Sequence, residues 1–432
     1  MKKIPILIIL LLNSPLIFSQ TMLSLEEAQS IAMENNWGLK VSQKQIEAAD
    51  NRIFKANAGY SPVIDWNTSY SGSFNQVNQK FFDGRSVQRF GTSITPNTNL
   101  SLAWTLYDGR RMQAVYSRLN SQGQQSRIQN QLLVQNTLSN VMQAYYDIQR
   151  LQQSKSYLEV IIGYYEERLK ITEERWQIGR GSKLDFLQSK TDYSTQKANL
   201  VNTLNELKGA KIRLNGLLAR DPKTEFEVND LSGYTNSDNL EILLENARMK
   251  NQEYLLLKKS EEINLLNQKE AKSFKLPRVG LTSSFGYNFN TNNAGLITFN
   301  QSVGLNTGIT ATWRVFDGQL NNRNIQLAKI NGEIIKVQKE EWLNNIEMDI
   351  TTAYYQNQND ETLLKLELEN KALAEENLEI SLEKFKLGAS TILELNDAQT
   401  RFNNALSRLV NAQYNVKISA LELLRLSGQL AQ

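Results

Sequence analysis

The 432-residue chain has no cysteine, no histidine and only six prolines. Without cysteine or histidine there is no Ser-His-Asp triad, no thiol nucleophile, no thiolate or imidazole metal site and no disulfide. Any catalysis would have to run on carboxylates, lysines or hydroxyls. No glycine-rich phosphate loop or metal cluster accompanies them, so an enzyme, a cofactor and a metal are all unexpected. So few prolines suggest long, uninterrupted elements. Charge of one sign is also missing. Once Lys2 and Lys3 are set aside, 46 basic residues face 45 acidic ones, which gives no electrostatic case for nucleic acid. Long apolar runs are confined to the start. Met1-Lys2-Lys3, the stretch Ile4 to Leu12 and Leu16-Ile17-Phe18-Ser19 read as a secretory signal over 1–19, too short to span a bilayer. No cysteine follows it, which argues against a lipid-anchored mature end.

What is present, above all, is an internal duplication. Tyr107-Asp108-Gly109 recurs as Phe316-Asp317-Gly318, and Ala144-Tyr145-Tyr146 as Ala353-Tyr354-Tyr355. Ile178-Gly179 with Leu184-Asp185 recurs as Leu387-Gly388 with Leu393-Glu394, and all three pairs are offset by 209 residues. Nearer the start of each half, Ala32, Asn36 and Pro62 match Ala247, Asn251 and Pro277 at an offset of 215. The six-residue difference therefore lies between Pro62 and Asp108, where the first copy is expected to have the longer loop.

Each copy reads helix, strand, loop, strand, very long helix, turn, helix. The opening helix runs from about Leu25 to Ala58, until Gly59 and Ser61-Pro62 end it. Leu100, Leu102, Trp104 and Leu106 then alternate with Ser101, Ala103, Thr105 and Tyr107; Val303, Leu305, Ile309, Ala311, Trp313 and Val315 alternate likewise. A period of two means strands, expected over about 62–74, 94–107, 277–290 and 301–316. After each Asp-Gly the period becomes helical over 110–178 and 319–387, roughly 100 Å per helix. Leu366, Leu373, Ile380 and Leu387 recur every seven residues, as in a coiled coil. Turns at 179–183 and 388–391 lead into helices 184–218 and 392–428. The repeats are thus 20–218 and 238–428, separated by a small irregular insert at 219–237.

Four half-apolar strands in an exported chain need an explanation. A soluble sheet packed on a helix has the same alternation, but no remaining segment covers such a sheet, and four strands cannot close a barrel alone. A dimer's eight strands would be filled by side chains; a trimer's twelve leave a lumen. The expectation is a mostly α chain with a transmembrane β-barrel: a trimeric, twelve-stranded outer-membrane barrel, four strands per chain, continued by a helical tube. Trp66, Trp104, Tyr107, Trp313 and Phe316 are candidates for its aromatic girdle. A periplasmic adaptor or coiled-coil structural protein would share the hairpins, yet has no need of aromatic-flanked alternating strands.

The layout resembles the TolC family of outer-membrane efflux proteins. The likeness rests on the junctions Leu106-Tyr107-Asp108-Gly109 and Val315-Phe316-Asp317-Gly318. It rests also on the hairpin signatures Arg175-Trp176-Gln177-Ile178-Gly179 and Lys384-Phe385-Lys386-Leu387-Gly388, the latter followed by Ile392-Leu393-Glu394-Leu395. The resemblance implies a homotrimer in the outer membrane with a periplasmic helical tunnel closed at its tip. It implies as partners a periplasmic adaptor (membrane fusion protein) and an inner-membrane pump, as in tripartite efflux or type I secretion. By the same likeness Glu394, Asp397 and Asp185 ring the closed aperture. Read from spacing alone, Glu394 and Asp397 merely share a helix face, as solvated acids often do. Gly179 and Gly388 are turn residues first, and with Arg180 and Lys183 they are candidates for adaptor docking. Asp108 and Asp317 read as helix N-caps, and Tyr145, Tyr146, Tyr354 and Tyr355 as packing between helices.

Overall fold

The computed structural model describes residues 21–229, 239–293 and 297–430. The signal segment 1–19 and much of the insert lie outside them. The elements run β1 (Thr21–Leu23), α1 (Leu25–Asn35), α2 (Trp37–Arg52), β2 (Val63–Lys80), β3 (Ser86–Tyr107), α3 (Arg111–Gln177) and α4 (Lys183–Leu217). The second half follows as β4 (Phe226–Val228), α5 (Leu240–Lys250), α6 (Gln252–Ser273), β5 (Arg278–Asn292), β6 (Phe299–Thr312), α7 (Leu320–Lys386) and α8 (Ile392–Ser427). The chain forms two compact units: 41–132 with 250–346, and 1–40 with 133–249 and 347–432. Both long helices contribute residues to each.

The first unit holds a four-stranded antiparallel sheet in the order β2-β3-β5-β6. Register is pinned by pairs such as Trp66 with Leu100, Leu100 with Phe285 and Phe285 with Leu305. The extra length of the first copy lies in its strands, not in a longer loop. β2 and β3 have 18 and 22 residues against 15 and 14 in β5 and β6. Their connection is tight because the Phe81 N–H donates to the Arg85 carbonyl (2.8 Å) and the Arg85 Nε donates to Asp83 (2.7 Å). β6 stops at Thr312, short of the expected 316. Its partner β5 starts at Arg278 just after Pro277, so nothing is left to pair with residues 313–316.

The second unit holds two cores. One gathers Leu25, Ala28, Ala32, Val141, Tyr145, Ile148, Leu214, Leu218, Phe226 and Leu421. Here the insert is more ordered than expected: β4 pairs in parallel with β1, Leu23 opposite Val228. The Tyr145 hydroxyl clamps this pair, donating to the Leu23 carbonyl (2.9 Å) and accepting from the Asn229 N–H (3.1 Å). Three-residue strands carry no readable period, which hid them. The other core packs Ile161, Tyr165, Leu378, Leu382, Phe385, Leu395, Phe402 and Leu406.

The single opening helix expected over Leu25 to Ala58 is two helices that stop at Arg52, followed by a 3-10 turn at Lys55–Ala58, and the break between the two helices recurs between α5 and α6. Its cause is the duplicated asparagine. Asn36 Oδ1 accepts from the N–H groups of Gly38 (2.9 Å) and Leu39 (3.3 Å), and Asn251 Oδ1 from those of Glu253 (2.9 Å) and Tyr254 (3.4 Å). A side chain that captures the N–H groups of a new helix ends the old one and caps the next.

Candidate functional site

Register turns the alternating strands into two chemically distinct faces. Ile64, Trp66, Tyr70 and Phe74 share a face with Ile94, Leu100, Leu102 and Trp104, with Leu281, Phe285 and Tyr287, and with Val303, Leu305 and Ile309. The opposite face carries Asp65, Asn67, Ser69, Ser71, Thr95, Asn97, Asn99, Ser101, Thr282, Ser284, Asn288, Ser302, Asn306 and Thr310. The polar face is cross-linked locally, as where the Asn67 amide donates to Ser101 (3.3 Å). The apolar face is bare, with Trp66 at 79% and Leu305 at 68% exposure. No helix among the described residues is long and apolar enough to cross a membrane. A sheet apolar on one side and polar on the other is the arrangement that lipid outside and water inside require.

Of the five girdle candidates, Trp66, Trp104 and Tyr107 lie on strands, whereas Trp313 and Phe316 lie beyond the end of β6. A register shift between Thr105 and Tyr107 sets Tyr107 opposite Val279, on the apolar face. The indole of Trp104 donates to the Tyr60 carbonyl (2.9 Å) and that of Trp313 to the Lys275 carbonyl (3.1 Å), so each repeat anchors its tryptophan in the same way. A second aromatic group toward the far ends of the strands, Phe74, Phe90, Phe289 and Phe299, was not among the girdle candidates. Phe289 and Phe299 meet edge to face at 5.3 Å.

The strand-to-helix junctions are duplicated down to backbone strain. Asp108 accepts from the Met112 N–H (3.1 Å) and Asp317 from the Asn321 N–H (3.0 Å), which makes both the helix caps their position suggested. The next two residues in each copy take left-handed conformations: Gly109 (φ 70°) with Arg110 (71°), and Gly318 (69°) with Gln319 (69°). A left-handed arginine or glutamine is costly, and sequence gave no sign of it. A Cβ on Gly109 would stand 2.5 Å from the Ser273 carbonyl, while one on Gly318 meets nothing within 4 Å.

At the hairpin turns Gly179 (φ 73°) and Gly388 (φ 76°) end α3 and α7. The following residues close the turns, Arg180 N–H to the Arg175 carbonyl (2.8 Å) and Ala389 N–H to the Lys384 carbonyl (2.9 Å). Open space surrounds both glycines; Gly181 is the packed one, its absent Cβ 2.8 Å from Arg175. Arg180 and Lys183 are exposed, and the Lys183 amine sits 5.8 Å over the Trp176 ring, itself stacked on Phe186 at 5.1 Å. Asp185 is half-buried in the first turn of α4, where the helix dipole favours an anion. Glu394 completes a capping box with Thr391, and Asp397 is paired with Arg401 at 2.6 Å. Both carboxylates therefore already have partners within the chain.

Near the hairpin turns, Arg168 escaped the sequence reading, and Arg175 and Lys386 were read only as parts of the hairpin signatures, without the contacts they make. Arg168 is fully buried; it donates to Asn396 (2.9 Å) and to Asp192, and lies 4.9 Å over the Tyr165 ring. Arg175 donates to the Phe385 carbonyl with its guanidinium 4.5 Å over the Phe385 ring. Lys386 bridges Glu167 and Glu383, both at 2.7 Å, and these hydrogen bonds push its pKa up. The available signal was periodicity: Ile161, Tyr165, Arg168, Thr172 and Arg175 share one helix face, so an arginine occupied a core position. Tyr145 and Tyr146 pack as expected, but Tyr355 is 60% exposed. The heptad stripe Leu366, Leu373, Ile380 and Leu387 is exposed too; α7 buries Leu378, Leu382 and Phe385 instead.

A lipid-facing sheet feeding duplicated long helices through capped junctions defines the wall of an outer-membrane channel. The chain belongs to the outer membrane efflux protein family, whose model matches residues 29–220 and 265–429. It is 22% identical over 440 residues to outer membrane protein TolC of Escherichia coli (strain K12), covering 99% of this chain and 87% of that one. It is 23% identical to the outer membrane efflux protein BepC of Brucella suis, with 92% and 84% covered. The outer-membrane channel OprN has the same fold, with a TM-score of 0.78 at 16% identity over 94% of this chain and 91% of that one. This protein is accordingly an efflux channel of the outer membrane.

Proposed function

We propose that three copies close a twelve-stranded barrel and serve as the passive exit duct of a tripartite efflux or type I secretion system, receiving cargo from a periplasmic adaptor and an inner-membrane pump. The carrying observation is that the second repeat lacks contacts that the first repeat makes. β3 pairs with β5, yet the equivalent pair, β6 with β2, is open at both edges of the sheet. Gly109 packs on Ser273, yet Gly318 meets nothing. A neighbouring copy supplies both, and it covers the exposed heptad stripe of α7. Glu394, Asp397 and Asp185 then surround the aperture, with Arg401 weakening the field of Asp397. Gly179, Gly388, Arg180 and Lys183 form the adaptor-facing turns. Trp66, Trp104, Tyr107, Trp313 and Phe316 form the girdle at the periplasmic interface.

The repeat fixes the register between copies. Ser101 pairs with Ser284; shifted by the repeat offsets, this becomes Thr310 of one copy opposite Ser69 of the next, both on the polar face. The natural chain has no cysteine, so the test is clean. Oxidation of the Ser69→Cys, Thr310→Cys variant is expected to give a covalent trimer in denaturing gels, and neither single variant should. Absence of cross-linking, or cross-linking displaced by one residue to Tyr70 and Thr310, overturns the assembly.

A further inference from the structure

The structure assigns to the strand-to-helix junction a site for the phosphate headgroup of an anionic glycerophospholipid, an inference that rests on the barrel spanning a bilayer. Between the start of α3 and the end of α6 lies a cavity of about 450 Å³, lined by Arg110, Lys269, Lys272, Gln113, Ser117 and Leu276 among others. None of its lining residues is acidic. The nearby carboxylates are each engaged by cations outside the cavity: Glu270 by Arg118 and by Arg111 (3.8 Å), Asp108 by Arg111 (3.2 Å), and Glu262, which lines the adjoining cavity with Lys269, by Lys259 (2.6 Å).

Three observations point to a lipid. The first is the repeat itself. Arg110 corresponds to Gln319, and Lys269 and Lys272 to Phe54 and Asn57, so the fold builds the same junction without any of these charges. These three charges are therefore not needed to form the junction, although the second repeat places a cation of its own, Arg323, where the first has the lining residue Ala114. The second is position. The cavity lies beside the ends of β3 and β5, the two central strands, away from the sheet edges that meet other copies.

The third is handedness. In β3 the even-numbered residues turn their backbone toward β5, as the Thr92 carbonyl accepts from the Asn293 N–H (3.1 Å), and their side chains form the apolar face. For L-residues, looking down β3 from its start with that face outermost, β5 lies clockwise of β3. On the right-handed α3, viewed the same way, the clockwise order is Arg127, which reaches Asp50 of the helix before β2, then the cavity side chains Gln113 and Ser117, then Arg118, which reaches α6. The cavity thus opens on the side of the apolar face, where the inner-leaflet headgroups run. Cations and hydroxyls above an apolar floor match a lipid phosphate with its glycerol, and anionic headgroups draw basic clusters at such a boundary.

The test uses the purified, delipidated full-length protein, titrated with phosphatidylglycerol and with phosphatidylcholine and read by native mass spectrometry. Wild type is expected to bind phosphatidylglycerol at least about tenfold more tightly than the Arg110→Gln, Lys269→Gln, Lys272→Gln variant. A control variant with three cations of α7 changed, Arg323→Gln, Lys329→Gln, Lys336→Gln, is expected to match wild type. Millimolar inorganic phosphate is expected to leave the lipid in place. Equal binding by wild type and the cavity variant, no preference over phosphatidylcholine, or displacement by inorganic phosphate overturns the assignment. The trimer mass in the same spectra reports assembly separately. If the triple variant does not assemble, Lys269→Gln, Lys272→Gln carries the comparison.

Discussion

Placing a lysine at position 305 and, separately, at 306 sets the two faces of β6 against each other. Leu305 stands opposite Phe285 on the apolar face, and Asn306 stands opposite Ser284 on the polar one. Leu305 buries little within the chain, so Leu305→Lys opens almost no cavity and removes little packing. In a soluble sheet it would be close to neutral. In a barrel the same ammonium faces hydrocarbon, at a cost of roughly 2–4 kcal/mol near the bilayer centre, less where the long side chain reaches the interface. Three copies per barrel multiply the penalty. Asn306→Lys puts the charge in a water-filled lumen and should cost well under 1 kcal/mol, as a surface substitution does. Folding from urea into phospholipid vesicles, scored by the shift between heated and unheated bands in gels, reads the difference. The expected result is a urea midpoint clearly lowered for Leu305→Lys and unmoved for Asn306→Lys. Equal effects, or the reverse order, would refute the assignment of faces and the lipid contact with it.

Two further expectations concern the second unit. Glu394→Gln with Asp397→Asn keeps volume and leaves the capping geometry of Thr391 intact, so the trimer should persist while cation selectivity and block by multivalent cations in planar bilayers weaken; unchanged currents would assign both carboxylates to solvated faces. Burial pushes the Tyr145 hydroxyl up to about 12. Its folded pKa thus lies above the unfolded value near 10, the unfolded state loses its proton first, and stability should fall as pH rises from about 10 to about 12. Tyr145→Phe should flatten that slope in thermal melts while lowering stability at neutral pH, because the Leu23 carbonyl and Asn229 N–H lose their shared partner. An identical slope in the variant would assign it to other groups.

Periodicity made most of the fold legible, because strand alternation and helical runs are properties of the local sequence. The opening helix is instructive where it failed. Asn36 and Asn251 were visible as a repeat match, but an asparagine reads as a cap only once the N–H groups it captures are known. The heptad at Leu366, Leu373, Ile380 and Leu387 shows the complementary limit. The repeat was real, yet it does not say which partner it faces, and within one chain it faces none. β1 and β4 were invisible because three residues cannot show a period and their pairing joins positions about 200 apart. Among the site residues, the caps Asp108 and Asp317 followed from position, whereas Arg168 required the far helices that supply Asp192 and Asn396.

Where the two repeats diverge is itself informative, because the copies share one backbone plan and face different neighbours. Asp108 and Asp317, Trp104 and Trp313, and the left-handed pairs at 109–110 and 318–319 are the same in both, as expected of features that turn a strand into a helix. The differences lie in what surrounds that turn. The first junction is enclosed by its own chain, with Ser273 and Leu276 against Gly109, and it carries Arg110, Lys269 and Lys272. The second is open and carries Gln319, with Phe54 and Asn57 at the matching positions of the facing segment. A seam within one chain is made once by folding, and charges gathered beside it face no assembly step. A seam between copies must form by encounter, and three like charges brought together there would oppose it unless a ligand arrived first. That constraint accounts for Arg110, Lys269 and Lys272 standing together at the enclosed junction, while the open junction has Gln319, Phe54 and Asn57 at those positions and a cation, Arg323, at the match of Ala114.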